Sequence, residues 1–518
     1  MSLLRNFATV GGATATSRAL GFVRDILIAA ALGTGPVADA FFVAFRFPNL
    51  FRRLFAEGAF NAAFVPLFAK ALESDGEAAA RRFGAEALSA LLTALLLLTA
   101  AIEIAMPLFT FVLAPGFAGD PAKFDLTVVL TRIAFPYLVF VSLLAFYSGV
   151  LNARGRFAAA AFAPALLNVV FIAALAIVFW AGYEESPRAG VVLAWATLVG
   201  GVVQFAVVWW AAARDGMTFA LARPRLTAPV RRLAGLALPG VLAGGITQIN
   251  IVVGTIIASL APGAVSYLYY ADRIYQLPLG IVGIAIGVVL LPDLARQLGA
   301  GRADLVDRSQ NRALEFALAL ALPAAVALVV MAEPIVAVLF QRGSFTAADT
   351  AASAAALVAF AVGLPAFILV KVFSPGFFAR EDTRTPMWFA GVALVVNVTV
   401  SLALFPFLAH VGIAIATSLA GWVNAALLAV TLWRRDQFHA DALMRRRLPL
   451  VAVASALMGL ALVAALALLA PALADPSLVV RAAAVAALVA GGVALYGLAC
   501  QVTGVVDFRD AFAAVRRR

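Results

Sequence analysis

Six arginines, Arg18, Arg24, Arg46, Arg52, Arg53 and Arg273, sit inside or at the edges of stretches that otherwise read as membrane-spanning. A cation at the bilayer centre costs about 2.5 to 3.5 kcal/mol even on the most forgiving insertion scale, so the set should line a wet internal cavity and not face lipid. Only Asp25, Asp39, Glu57 and Asp272 lie near in sequence to offset it. The excess of positive charge makes an anion the natural cargo. A guanidinium fork donates bidentately to phosphate oxygens and stays charged at any physiological pH, so the cluster reads most specifically as a receptor for phosphate or diphosphate.

The individual positions differ in what competes for them. Arg18, Gly21 and Asp25 share one helical face, with Arg24 turned away from it, and Gly21 could let the helix bend and bring Arg24 inward. Arg24 and Asp25 could instead neutralise each other, whereas Arg18 has no local partner. Arg53 and Glu57, four apart, fit a helical ion pair as well as a cargo contact. Arg52 has no carboxylate three or four residues away and is the better cargo ligand. Asp39 reads equally as a solvated or arginine-paired carboxylate. Arg273 follows Asp272 directly, and adjacent helical residues point about 100° apart, so the two should not simply cancel.

Other chemistry finds little support. There is no phosphate-binding glycine loop, no acidic metal motif and no Ser/His/Asp set, which argues against an enzyme. The single cysteine, Cys500, excludes an intramolecular disulfide, and His410 and His439 fall in predicted loops without metal-ligand spacing. No cofactor is implied. Glu103, Arg132 and Lys371 are isolated charges, the last two readable as snorkelling side chains. Asn250 and Asn397 are candidates to help hold a coupling cation, with interhelical hydrogen bonding as the plainer reading.

The elements that must position these residues are helices in a membrane. Hydrophobic residues make up 64% of the 518-residue chain and charged residues 13%, with mean hydropathy +1.02. The sequence predicts an all-α polytopic membrane protein with about fourteen spans, near 10–32, 36–70, 84–113, 125–151, 158–182, 189–213, 231–260, 264–295, 312–340, 348–376, 386–408, 411–433, 449–471 and 477–502. The second and eighth are long, and Pro48, Gly58 and Pro66 in one and Pro278, Gly280 and Pro292 in the other could bend or break them. Arginines crowd one set of loops while the opposite set holds little more than Lys123, Arg188, Arg342 and Arg481, which predicts both termini inside. The net charge of +11 is thereby explained by topology and not by nucleic acid.

The chain also resembles itself. At an offset of 226 residues GPVADAFFVA (35–44) overlies PGAVSYLYYA, Pro66 overlies Pro292, and Ala153-Arg154 overlies Ala379-Arg380. An internal duplication follows, giving six-helix lobes over 1–224 and 225–440 and an appended helix pair with a basic tail over 441–518. Six spans per repeat is even, so the lobes would share one orientation.

Through SRxLGFxRD at 17–25, DAFFVAFRFPNLFRRLFAEGAFNAAFVP at 39–66, YADRIYQLPLG at 270–280, LFQRGSF at 339–345 and FFAREDTRTP at 377–386, the chain resembles the MurJ (MviN) family of bacterial lipid II flippases, within the multidrug/oligosaccharidyl-lipid/polysaccharide exporter superfamily. The resemblance implies fourteen transmembrane helices, two lobes around a cationic cavity and a final helix pair shaping a groove for a polyprenyl tail. It places essential cavity arginines at Arg18, Arg24, Arg52 and Arg273 and a sensitive aspartate at Asp39. With Asp25 and Arg53 from the residue pattern these form the candidate substrate site. Gln276 stands where the family has glutamate, which puts a charge role there in doubt. The implied activity is translocation of undecaprenyl-diphosphate-linked peptidoglycan precursor, lipid II, across the bacterial inner membrane by alternating access. Rival readings are a flippase for another polyprenyl-diphosphate oligosaccharide, a drug or cation antiporter of the same superfamily, and a membrane enzyme acting on such a lipid.

Overall fold

The computed structural model describes residues 3–52 and 60–505, and among them every regular element is helical. In chain order these are α1 (Leu3–Leu32), α2 (Pro36–Phe51), α3 (Phe60–Ser74), α4 (Glu77–Ile104), α5 (Met106–Leu113), α6 (Pro121–Ala134), α7 (Tyr137–Ala153), α8 (Ala158–Ala181) and α9 (Pro187–Arg214). There follow α10 (Ala228–Ala258), α11 (Ala264–Gly299), α12 (Ala303–Val330), α13 (Ala332–Phe340), α14 (Ala347–Phe378), α15 (Arg384–Arg434), α16 (Ala442–Leu468), α17 (Ala470–Leu473) and α18 (Leu478–Val502). Among the described residues nine helical stretches are long and apolar enough to cross a membrane. The chain is therefore a multi-pass membrane protein, and its backbone polar groups are satisfied within helices as hydrocarbon demands.

Several expected single spans are observed as broken helices. The stretch 84–113 divides at Ala105 (φ −90°, ψ 13°), where Pro107 opens α5 without an N–H to continue the ladder. The stretch 312–340 divides in the same way at Met331 (φ −107°, ψ 16°). Conversely, α11 runs unbroken for 36 residues through Pro278 and Pro292, so neither proline breaks it. The spans expected at 386–408 and 411–433 meet at Ala409, whose φ of 44° and ψ of −127° turn one helix into the next.

The duplication is written into these boundaries. Glu77–Ile104 recurs as Ala303–Val330, the break at Ala105 as the break at Met331, and the starts of α6 and α8 at residues 121 and 158 as those of α14 and α15 at 347 and 384, all 226 residues apart. The left-handed Gly155 (φ 70°) likewise recurs as Glu381 (φ 61°).

Contacts divide the chain into two compact units, Met1–Ser266 with Arg342–Thr346, and Tyr267–Gln341 with Ala347–Arg518. In the first, α1 lies along α8, α7 and α8 along α9, α2 along α6 and α3 along α7. Phenylalanines fill its centre, with Phe64, Phe68, Phe135 and Phe146 fully buried. α10 packs here too, against α3, α4 and α5. In the second unit α14 lies along α12 and α15, and α16 joins α12 to α18.

Two loop contacts in the first unit repeat the same symmetry. The Gly116 N–H donates to Ser259 Oγ at 3.1 Å, at the end of α10. Residues 342–346 close the end of α1: Ser344 N–H donates to the Ala30 carbonyl at 2.9 Å while Glu185 N–H reaches Ala31 at 2.9 Å. Carbonyls that a helix C-terminus leaves without partners are thus met by other segments.

Candidate substrate-binding site

Arg24 is buried, at 7% exposure. Its Nε and one terminal nitrogen donate to Asp25 Oδ1 at 3.0 and 2.8 Å, and the other terminal nitrogen donates to Asn168 Oδ1 of α8 at 3.0 Å. Phe45 of α2 and Phe171 of α8 lie 5.6 and 5.5 Å from its guanidinium carbon. Such a pocket suits a delocalised cation, which is weakly hydrated and stacks on aromatic faces. Asn168 is itself aimed by its Nδ2, which donates to the Ser17 carbonyl at 2.9 Å. A Cβ built at Gly21 would stand 3.5 Å from Asn168 Nδ2, an ordinary van der Waals contact, so the approach of α8 does not depend on the glycine. α1 is continuous across Gly21, where the sequence suggested that the helix could bend. The adjacent Arg24 and Asp25 do pair, because a long guanidinium side chain folds back across the 100° that separates their Cα–Cβ directions.

The remaining candidates are spread over three helices. Arg18 lies on α1 with its side chain exposed, and among the described residues it has no ion-pair partner. Arg46 donates to Thr255 Oγ1 of α10 at 3.0 Å. Arg52, half-buried, caps the end of α2 and donates from Nε to Asn49 Oδ1 at 3.0 Å. Arg53 and Glu57 lie outside the described residues. Arg273 belongs to α11 in the second unit, its guanidinium carbon 4.7 Å from the Tyr269 ring centre. One turn on, Gln276 donates to Asp272, a contact that a glutamate would turn into like-charge repulsion.

Asp39 occupies a site that its sequence position did not disclose. It is fully buried, 2.7 Å from Lys123 Nζ of α6, and it accepts from Gly263 N–H at 3.0 Å, Ser266 N–H at 3.1 Å and Ser266 Oγ at 2.7 Å. The carboxylate therefore closes the N-terminus of α11, where amide donors lack helical partners and the helix dipole favours negative charge. Lys123, expected in an outer loop, is instead a buried counter-ion with its ammonium 3.9 Å above the Phe117 ring. Asn168, Lys123 and Ser266 carried no local motif. Of the coupling-ion candidates, Asn397 accepts from Thr417 and Ser401 at 3.3 and 3.4 Å, an interhelical bond and an intrahelical one.

Comparison with known proteins bears on the whole chain. The family model described as lipid II flippase MurJ matches residues 28–483. A probable lipid II flippase MurJ of Rhizobium meliloti (strain 1021) is 53% identical over 498 residues, covering 96% of this chain and 93% of that protein. The lipid II flippase MurJ of Burkholderia cenocepacia is 37% identical over 471 residues, covering 89% and 90%. Among solved structures, lipid II flippase MurJ in an inward closed conformation shares the fold at a TM-score of 0.79 and 22% identity, over 97% of this chain and 99% of that one. An inward-facing multidrug resistance MATE transporter of the MOP superfamily shares it at 0.69 and 16%, over 81% and 94%.

Proposed function

The chain belongs to the lipid II flippase MurJ family, and from that premise we propose that it moves undecaprenyl-diphosphate-linked peptidoglycan precursor from the inner to the outer leaflet of the bacterial inner membrane. It is a transporter and not an enzyme. The observation that carries this reading is collinear likeness to such flippases over nearly the entire length.

The mechanism is alternating access. The lobes over residues 1–224 and 225–440 rock about a central cavity, with both termini on the cytoplasmic side and the pair within 441–518 guiding the polyprenyl tail. The diphosphate is held among Arg18, Arg24, Arg52 and Arg273, supported by Arg53, Asp25 and Asp39. Keeping the tail in lipid avoids about 0.8 kcal/mol for each methylene that would otherwise meet water, so only the headgroup needs a polar route. Arg18, exposed and without an ion pair among the described residues, is the natural first contact for an arriving anion, whereas Arg24 is already matched by Asp25. The arginine excess disfavours export of drug cations, which would want carboxylates in the cavity.

Depletion with complementation tests the reading. Cells lacking the protein should accumulate lipid II on the inner leaflet and the wild-type chain should restore export. Arg18→Ala, Arg24→Ala, Arg52→Ala and Arg273→Ala should fail despite normal membrane levels. Rescue by most of these variants would refute the site, and failure of the wild-type chain to restore lipid II export would refute the cargo.

A further inference from the structure

The loop joining α15 to α16 is built as a rigid platform. Asn311 of α12 donates from Nδ2 to the His439 carbonyl at 2.8 Å and accepts the Asp441 N–H at 3.1 Å. Arg380 donates to the Gln437 carbonyl at 3.2 Å, and Arg312 pairs with Asp441. His439 is held at both ring nitrogens, Nδ1 3.0 Å from Asp307 and Nε2 2.8 Å from Asp436. Phe438 turns inward against Phe373, with ring centres 5.9 Å apart.

Beside this platform lies a cavity of about 320 Å³, lined by Ala429, Val430, Trp433 and Phe438 together with His439 and Arg445. That is room for roughly ten groups the size of a water molecule. Its walls are apolar, it sits where two membrane-spanning helices end, and Trp433 stands 67% exposed, as an interfacial aromatic does. The charge around it is lopsided. Arg435 is engaged by Asp382 at 2.7 Å and Arg447 by Glu315 at 3.2 Å, but among the described residues Arg434, Arg445 and Arg446 have no ion-pair partner. Asp307 and Asp436 are both turned onto His439.

An apolar slot with a surplus of guanidinium groups fits one molecule that combines a hydrocarbon chain with an anion. We propose that this cavity binds an anionic glycerophospholipid of the leaflet at the α15–α16 turn, one acyl chain against Val430, Trp433 and Phe438 and the phosphate at Arg445. The site is separate from the cargo arginines, none of which lines it. A zwitterionic lipid would fill the slot but gain nothing from the arginines.

Photolabelling tests this. The protein in phosphatidylcholine nanodiscs receives a trace of phosphatidylglycerol bearing a diazirine on one acyl chain, is irradiated, and is mapped by peptide mass spectrometry. Residues 429–440 should be labelled about fivefold more than by the matching phosphatidylcholine probe, the factor one arginine near an anionic headgroup supplies. Arg445→Glu, and more mildly Arg445→Gln, should remove that preference, and Ala429→Trp, which fills the slot, should abolish labelling at an unchanged melting temperature. Excess inorganic phosphate should leave the labelling intact. Equal labelling by both lipids, labelling that survives these substitutions, or displacement by phosphate would overturn the proposal.

Discussion

Asp39 has no exposed surface, and its lone pairs are met by Lys123, Gly263 and Ser266. Removing one partner of such a buried pair is far worse than replacing both, since it strands a charge in low dielectric. Lys123→Met should therefore cost about 3 to 5 kcal/mol, read as a lowered melting temperature of the detergent-solubilised protein. Adding Asp39→Leu should recover only part of the loss, because the Gly263 and Ser266 donors are then left without an acceptor, and a Lys123→Met variant that melts like wild type would show the pair to be weak. Arg18 predicts the opposite pattern. Its exposed side chain supports no packing, so Arg18→Ala should stay within about 0.5 kcal/mol of wild type in stability while failing to restore cargo export. The cationic character of the candidate site was legible, since intramembrane arginines are costly enough to be conspicuous. Its long-range partners were not: Lys123 meets Asp39 across 84 residues and Arg24 meets Asn168 across 144, distances no helical spacing rule reaches.

Helix ends carry the next set of consequences. Gly343 adopts φ 56°, and a Cβ there would stand 2.4 Å from the Ala30 carbonyl oxygen, whereas Gly155 at φ 70° faces open space. Both glycines avoid the left-handed penalty of about 1 to 2 kcal/mol, but only Gly343 also makes room for the end of α1. Gly343→Ala should thus lower the melting temperature clearly more than Gly155→Ala, and equal losses would mean that residues 342–346 do not rest on α1 in the native protein. At the α15–α16 turn, Asp307 and Asp436 hydrogen-bond His439 and raise its pKa above the ordinary 6.5. A raised value means that this contribution is complete below pH 6.5 and fades as pH climbs through the folded-state pKa. The melting temperature of wild type should therefore fall more steeply above pH 6.5 than that of His439→Gln, and parallel profiles would sink the assignment. Asp382 acts in the other direction. Hydrogen bonds from Thr385 and Arg435 bring its pKa down to about 2, so its contribution holds above the ordinary 3.8 and is lost only as pH falls towards 2.

The repeat was readable because a 226-residue offset survives in motifs at 35–44, around Pro66 and at Ala153-Arg154, and then reappears in helix boundaries and in the breaks at Ala105 and Met331. What the repeat does not dictate is packing: α10, the counterpart of α1, settles against α3, α4 and α5, which its own apolar sequence could not announce. Under the proposed alternating access, the free energy for moving the headgroup must come from the cargo's passage or from a coupled ion. A diphosphate of roughly two negative charges leaving an inside-negative cell gains about 2.3 kcal/mol per charge for each 100 mV. Membrane potential should accordingly drive export. In proteoliposomes with a valinomycin-clamped potassium gradient, flipping of fluorescent lipid II should accelerate when the side of origin is negative and slow when the gradient is reversed. An unchanged rate would mean that no net charge crosses the field with the cargo, and would shift the energetic burden to an ion gradient or to consumption of lipid II on the far side.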